Sequence, residues 1–367
     1  MMKRLLLTVL ISLAATSQAK EPAKAKAPAK AKAAAEPKLI IVGVGYPGIT
    51  NLRGAIGLSR DGGKTFKEVW YKDKEGASVE NVIYVPETKL FVGVGRAGIL
   101  TSPDGENWKQ VELPKAARLH ELHSVAYGNG WYVAVGDKTD IIVSKDAQTW
   151  IASWANDKGE PDIAKMDEMS KWFAEHSKGP APGRMNYTEV AFVGGKFLAV
   201  GYCHRVLEII PTEQGATFGK VEDLDPEDCT KSAKRIRQHG DAIVITGNRG
   251  FLSKDGGETW KELRTLKAAG DKWALGVGPQ GFMTASTYGN FLSSPDGEKW
   301  TPLPKYTRAT PQDIAWIGGQ WWMVGQGSNT YWTSPDGQEW KELNYTVESE
   351  EAKMTQSYTG IVGVELK

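Results

Sequence analysis

Three carboxylates are of the kind a sugar-cleaving site uses. Glu80, Glu189 and Asp313 each open an apolar, strand-like segment, and His123, Arg235 and Trp273 hold similar places. Two carboxyls about 5 Å apart can run a retaining glycoside hydrolase, and a wider pair an inverting one. Five cations, Arg53, Arg96, Lys138, Arg205 and Arg249, would attract an anionic ligand or a carboxylate-rich partner if the fold gathered them. His120-Glu121-Leu122-His123 lacks the i, i+4 histidine spacing of a helical zinc site, and in a strand i and i+3 face opposite sides. No metal or cofactor is expected. Cys203 and Cys229 are the only cysteines, and an oxidising compartment would join them.

A repeat must position these residues. A Ser-x-Asp-Gly turn followed closely by Phe or Trp occurs around Asp61, Asp104, Asp146, Asp255, Asp296 and Asp336, with Ala147 replacing Gly in the third copy. The aspartates are spaced 43, 42, 109, 41 and 40 residues apart. The long gap holds an insertion and a worn copy at 212–218, which begins Thr212-Glu213-Gln214-Gly215. Asp before Gly suits a tight hairpin, because the carboxylate accepts backbone N–H groups and Gly tolerates positive φ. Upstream of each turn lie two apolar strands, as in Ser124–Tyr127 and Trp131–Gly136. Seven such units over residues 39–367 predict an all-β, seven-bladed β-propeller with four-stranded blades. Unit one lacks its first strand, and Tyr358–Val364 at the C-terminus can supply it, closing the ring and hiding its edges.

Met1–Ala19 has the basic start, apolar run and small-residue end of a secretory signal peptide, too short to span a bilayer. Residues 20–38 form a Lys/Ala/Pro linker carrying +4. The expected location is therefore periplasmic or secreted, without a membrane span. The whole chain carries +1, which leaves the folded part near −5 and argues against nucleic acid. Hydrophobic residues make up 41%, enough for a packed core. The insertion at 154–184 predicts a helix after Pro161-Asp162, with Ile163, Met166, Met169, Trp172 and Phe173 at helical spacing. That helix would either pack on a blade rim or cover the loop face as a lid or docking element.

The turns resemble the Asp-box, or bacterial neuraminidase repeat, of sialidase-like propellers. The run Val92–Ser102 and its counterpart Thr246–Ser253 are similar in style to the photosystem II stability and assembly factor group. The resemblance implies structural Asp-boxes at the outer rim. It also implies loops, between second and third strands and between fourth and next first strands, that open on one face. Arg53, Arg96, Lys138, Arg205 and Arg249 would lie in the second-to-third loops, and Glu80, Glu189 and Asp313 at the channel mouth. The Arg-Ile-Pro signature of sialidases is absent; Leu52-Arg53-Gly54 does not replace it. The disulfide would compensate for the worn fourth turn. The reading is a monomeric, non-enzymatic scaffold or assembly propeller that holds a partner protein or anionic glycan. The alternative is a glycoside hydrolase of sialidase-like type using Glu80, Glu189 or Asp313.

Overall fold

The computed structural model describes residues 38–47, 54–72, 77–118, 121–137, 140–178, 186–268, 270–287, 289–304, 310–326, 330–348 and 356–366. The signal segment, all but the last residue of the linker, Arg53 and Lys138 lie outside them. Seven antiparallel sheets follow one another around a ring. Blade 1 takes Lys38–Pro47, Gly54–Ser59 and Thr65–Lys72 from the N-terminal side. Its innermost strand is the C-terminal Gln356–Leu366, paired antiparallel to Lys38–Pro47. The ring is thus closed by both ends of the described chain, as the missing first strand predicted. Blades 2 to 7 span residues 81–110, 122–152, 187–223, 233–262, 272–303 and 310–344, four strands each. Blade 1 gains a fifth, outermost strand, Thr346–Glu348, which runs parallel to Thr65–Lys72.

The second strands are buried on both faces. Ala242–Gly247 and Gly281–Ser286 are buried at every residue, because each such strand is sandwiched between neighbouring blades. The core is accordingly a ring of seams. Val244 and Leu252 of blade 5 pack on Phe282 and Trp300 of blade 6. Phe291 and Met283 of blade 6 pack on Trp321 and Met323 of blade 7.

The Ser-x-Asp-Gly turns join third to fourth strands and share one hydrogen-bond pattern. In blade 2, Ser102 Oγ donates to Asp104 Oδ1 (3.0 Å) and accepts the Gly105 N–H (2.9 Å). Asp104 accepts the N–H groups of Glu106 and Asn107, each at 2.8 Å. Trp108 Nε1 donates to the Gly105 carbonyl at 2.8 Å, which fixes the aromatic at the start of the fourth strand. Trp150, Trp300 and Trp340 repeat that bond. Blades 1 and 5 carry one more residue, and there the hydroxyls of Thr65 and Thr259 also bond the aspartate. Burial raises the Asp104 carboxyl pKa, but the Asn107 and Glu106 donors outweigh it and hold the group well below the usual range. In blade 4 the turn is a two-residue hairpin pairing Thr212 with Gly215, with no aspartate.

The insertion is a helix, α1 (Ile163–His176), started by Asp162, whose side chain accepts the Lys165 N–H. Phe173 is its buried anchor, and Phe173 and Trp172 each lie 5.3 Å from Phe218 in the outermost strand of blade 4. The helix therefore packs on the rim. Ile163 and Met166 face outward, 74% and 40% exposed.

Candidate functional site

The ring of first strands carries a repeated irregularity. In blades 3 to 7 a β-bulge near the start of the first strand leaves one residue unpaired: His123, Thr188, Lys234, Trp273 and Gln312. Blade 1 does the same at Thr359, and in blade 2 Glu80 occupies the corresponding place before Asn81. A bulge re-aims a side chain. Here Glu80, His123, Thr188, Lys234, Gln312 and Thr359 all line a cavity of about 400 Å³ at one mouth of the channel.

In blades 2, 3, 4 and 7 the next residue along the strand has a different task. It ties its blade to the following one. Asn81 Oδ1 accepts the Val125 N–H (3.5 Å), and Ser124 Oγ accepts the Val190 N–H (3.3 Å). Glu189 accepts the Ile236 N–H (2.5 Å), and Asp313 accepts the Ile361 N–H (3.1 Å). Blade 5 places Arg235 in this position, and blade 6 the small Ala274. Arg235 passes beyond blade 6 and donates to the Gln312 carbonyl of blade 7 at 3.0 Å. Glu189 also pairs with Arg237 at 2.7 Å and is almost wholly buried. Burial raises the Asp313 carboxyl pKa, against the pull of Arg235 and Arg237. Two of the three carboxylates proposed for catalysis, Glu189 and Asp313, are therefore spent on holding blades together.

Glu80 is set apart from them. It faces the cavity beside Glu121, and burial followed by repulsion from Glu121 raises its pKa. Glu121 in turn accepts Arg96 Nε at 2.5 Å and Ser78 Oγ at 3.3 Å. His123 Nε2 lies 2.9 Å from Asp137 Oδ1 on the same wall.

Loops from two connections build this mouth. Arg96, Asp137 and Tyr202 come from second-to-third loops, and Glu121 and Asn186 from connections between blades. Close backbone contact pins the two sets together. The Asp137 N–H donates to the Glu121 carbonyl (2.9 Å), and the Ala97 N–H to the Ser78 carbonyl (3.1 Å). Glycine permits that approach at the end of the second strand. A Cβ on Gly95 or Gly136 would sit 2.2 and 2.0 Å from the Ser78 and Glu121 carbonyl oxygens.

The predicted cation ring does not assemble among the described residues. Arg96 reaches the mouth, but already paired. Arg205 is fully buried and forks onto Asp223 at 2.6 and 3.0 Å, with its guanidinium 5.8 Å from the Phe173 ring. It anchors blade 4 under α1 instead of meeting a ligand. Arg249 lies outside the cavity and bridges Asp225 (2.9 Å) and Glu262 (3.4 Å). Cys203 and Cys229 form a disulfide that ties the second-to-third loop of blade 4 to the connection into blade 5. It sits at the opposite end of the blade from the Thr212–Gly215 hairpin and so cannot stand in for the worn turn. Sequence reasoning missed Lys234, Thr188, Gln312, Glu121 and Asp137. The Gly residues ending the second strands mark where the loops cross, but nothing in a strand's alternation marks a bulge.

A second, apolar cavity of about 510 Å³ lies along the same strands, lined by Tyr127, Phe192, Trp316 and Val362 among others. Glu189, Arg237 and Asp313 border it.

The chain is a seven-bladed β-propeller with a polar pocket at one mouth of its channel. No protein-family model matches it, and no curated protein does. Among solved structures it is similar to a protein from Lactobacillus plantarum (TM-score 0.58, 10% identity, 90% of this chain and 100% of that one). It is also similar to apo AztD from Citrobacter koseri (TM-score 0.52, 8% identity, 89% and 98%). A structure of YCF48 bound to D1 peptide matches at TM-score 0.44 and 18% identity, over 64% of this chain and 69% of that one. At these identities the likeness extends to the propeller fold alone.

Proposed function

We propose that the protein is an exported binding propeller of the Asp-box kind that holds a polypeptide segment of a partner in the mouth of its channel, as a scaffold or assembly factor. The observation that carries this reading is the ring of bulged first-strand residues around the 400 Å³ polar cavity. Export is supported by the signal-like Met1–Ala19 and by the disulfide. A polypeptide is favoured over an anionic glycan because Arg205 is buried, Arg249 is paired away from the mouth, and Arg96 is neutralised by Glu121. A glycosidase is disfavoured because Glu189 and Asp313 are engaged in blade ties, while Glu121, the carboxylate beside Glu80, is held by Arg96 and Ser78.

The test is selection of binders from a displayed random-peptide library, with a parallel hydrolysis screen on fluorogenic glycosides, sialosides included. Peptides that bind the wild type and lose affinity on His123→Ala support the reading. Turnover abolished by Glu80→Gln, or a library that yields no binder, overturns it.

A further inference from the structure

The apolar cavity of about 510 Å³ lies toward the other end of the channel, since it takes the later residues of the first strands and Pro86 and Glu87 of the turn that follows in blade 2. Three blade ties, Asn81, Ser124 and Glu189, line both cavities and form the waist between them. Beyond the waist stands a collar of partly exposed aromatics, Tyr84, Tyr127, Phe192 and Trp316. Each is backed by the buried aromatic opposite it on the second strand, respectively Phe91, Tyr132, Phe197 and Trp321, with ring centroids 4.7, 4.7, 5.0 and 5.4 Å apart. The collar is therefore fixed in place and still presents apolar surface to the cavity.

Two residues after the tie position, blades 3, 4 and 7 carry Ala126, Ala191 and Ala315, whose small side chains leave the space open. Blade 5 carries Arg237 there. Its Nη1 donates to the Ile236 carbonyl (2.8 Å) and to Glu189 (2.7 Å), while Nε and Nη2 have no partner among the described residues, and the side chain is 28% exposed. The charge itself is matched. Glu189 lies 2.7 Å from Arg237 and 3.8 Å from Arg235, and both guanidiniums act on the buried Asp313. What remains unused is donor capacity, not charge. An apolar cavity of this volume with one convergent donor group is of the size and kind that takes a small ligand.

We propose that this second cavity binds a small uncharged molecule with an aromatic body and one oxygen acceptor, the body held within the collar and the acceptor received by Arg237. This ligand is distinct from the polypeptide proposed for the polar mouth.

Equilibrium dialysis of the full chain against benzophenone tests it. Diphenylmethane is the analogue without an acceptor, diphenylacetate the anion, and N-acetylphenylalanine amide the same chemistry on a peptide unit. The ketone should bind saturably, and ~10-fold tighter than diphenylmethane, the worth of one hydrogen bond from a charged donor. The anion should bind no tighter than the ketone, because the guanidinium charge is already met. Ala191→Leu and Ala315→Leu place bulk in the cavity and should each abolish saturable binding of the ketone while the melting temperature stays within a few degrees of wild type. Arg237→Met combined with Glu189→Gln removes the donors without leaving a buried carboxylate unpaired, and should make ketone and diphenylmethane bind alike. No saturable binding, ketone binding that survives both leucines, or equal binding of ketone and diphenylmethane by the wild type overturns the proposal. Tighter binding of the anion overturns its uncharged part. Tighter binding of the amide than of the ketone assigns the cavity to a side chain of a partner and overturns the small-molecule part.

Discussion

Glu189→Ala separates a structural carboxylate from a chemical one. Glu189 is 2% exposed and holds the Ile236 N–H at 2.5 Å and Arg237 at 2.7 Å, with Arg235 at 3.8 Å. Removing the carboxylate leaves a buried N–H and a guanidinium without their acceptor. Breaking one side of a buried ion pair costs about 3–5 kcal/mol. Over the roughly 330 residues of the propeller, an unfolding entropy of about 2.1 cal/mol/K per residue sums to about 0.7 kcal/mol/K. The melting temperature should therefore fall by about 4–7 °C. Glu189→Gln keeps an oxygen for the Ile236 N–H and loses only the charge, so it should cost about 2 kcal/mol. Calorimetry and guanidinium denaturation of both variants read these numbers. A loss below about 1 kcal/mol for Glu189→Ala, accompanied by loss of ligand binding or of a glycosidase activity, would refute the tie and return Glu189 to the chemistry of the site.

Other consequences can be checked on the same material. Cys203 and Cys229 are 26 residues apart, so replacing both with Ser should cost about 3.5 kcal/mol by loop-closure entropy, seen as a lower denaturation midpoint than that of the oxidised wild type. Burial, then repulsion from Arg249, holds the His204 pKa down to about 4. A depressed folded pKa means stability is fully present above the ordinary 6.5 and is lost as pH falls toward 4. His204→Gln should flatten that part of a melting-temperature profile against pH. Phe173→Ala should cost about 3–5 kcal/mol and loosen α1, measurable by hydrogen exchange over 163–176, whereas Ile163→Lys on the exposed face should stay within about 0.5 kcal/mol.

The architecture was legible because its determinants are local. A Ser, an Asp and a Gly within four residues make their own turn, and the aromatic that follows bonds back to that turn three residues earlier, as Trp108 does to Gly105. Repeating this every forty or so residues sets the blade count, and a unit lacking its first strand announces that the C-terminus must supply one. The helix was readable from Asp162 and from the spacing up to Phe173. The disulfide followed from there being two cysteines, though its place at the loop end of blade 4 did not.

The site was decided by the tertiary structure. Sequence places Glu80, Glu189 and Asp313 alike near the starts of first strands, yet a shift of one residue leaves Glu80 as a cavity group and makes the other two ties between blades, with Glu189 also bordering the cavity. The bulge that makes this difference is a property of strand pairing, and it depends on loops from neighbouring blades passing close to glycines such as Gly136. Arg205 and Arg96 likewise follow similar apolar strands. One is buried by an inserted helix and the other opens on the mouth, because burial is set by what packs alongside and not by the strand itself. Short-range hydrogen bonds and periodic apolar residues let the chain alone specify seven blades. Which charges gather at the mouth was fixed only when the ring closed, since those residues lie on blades far apart in sequence.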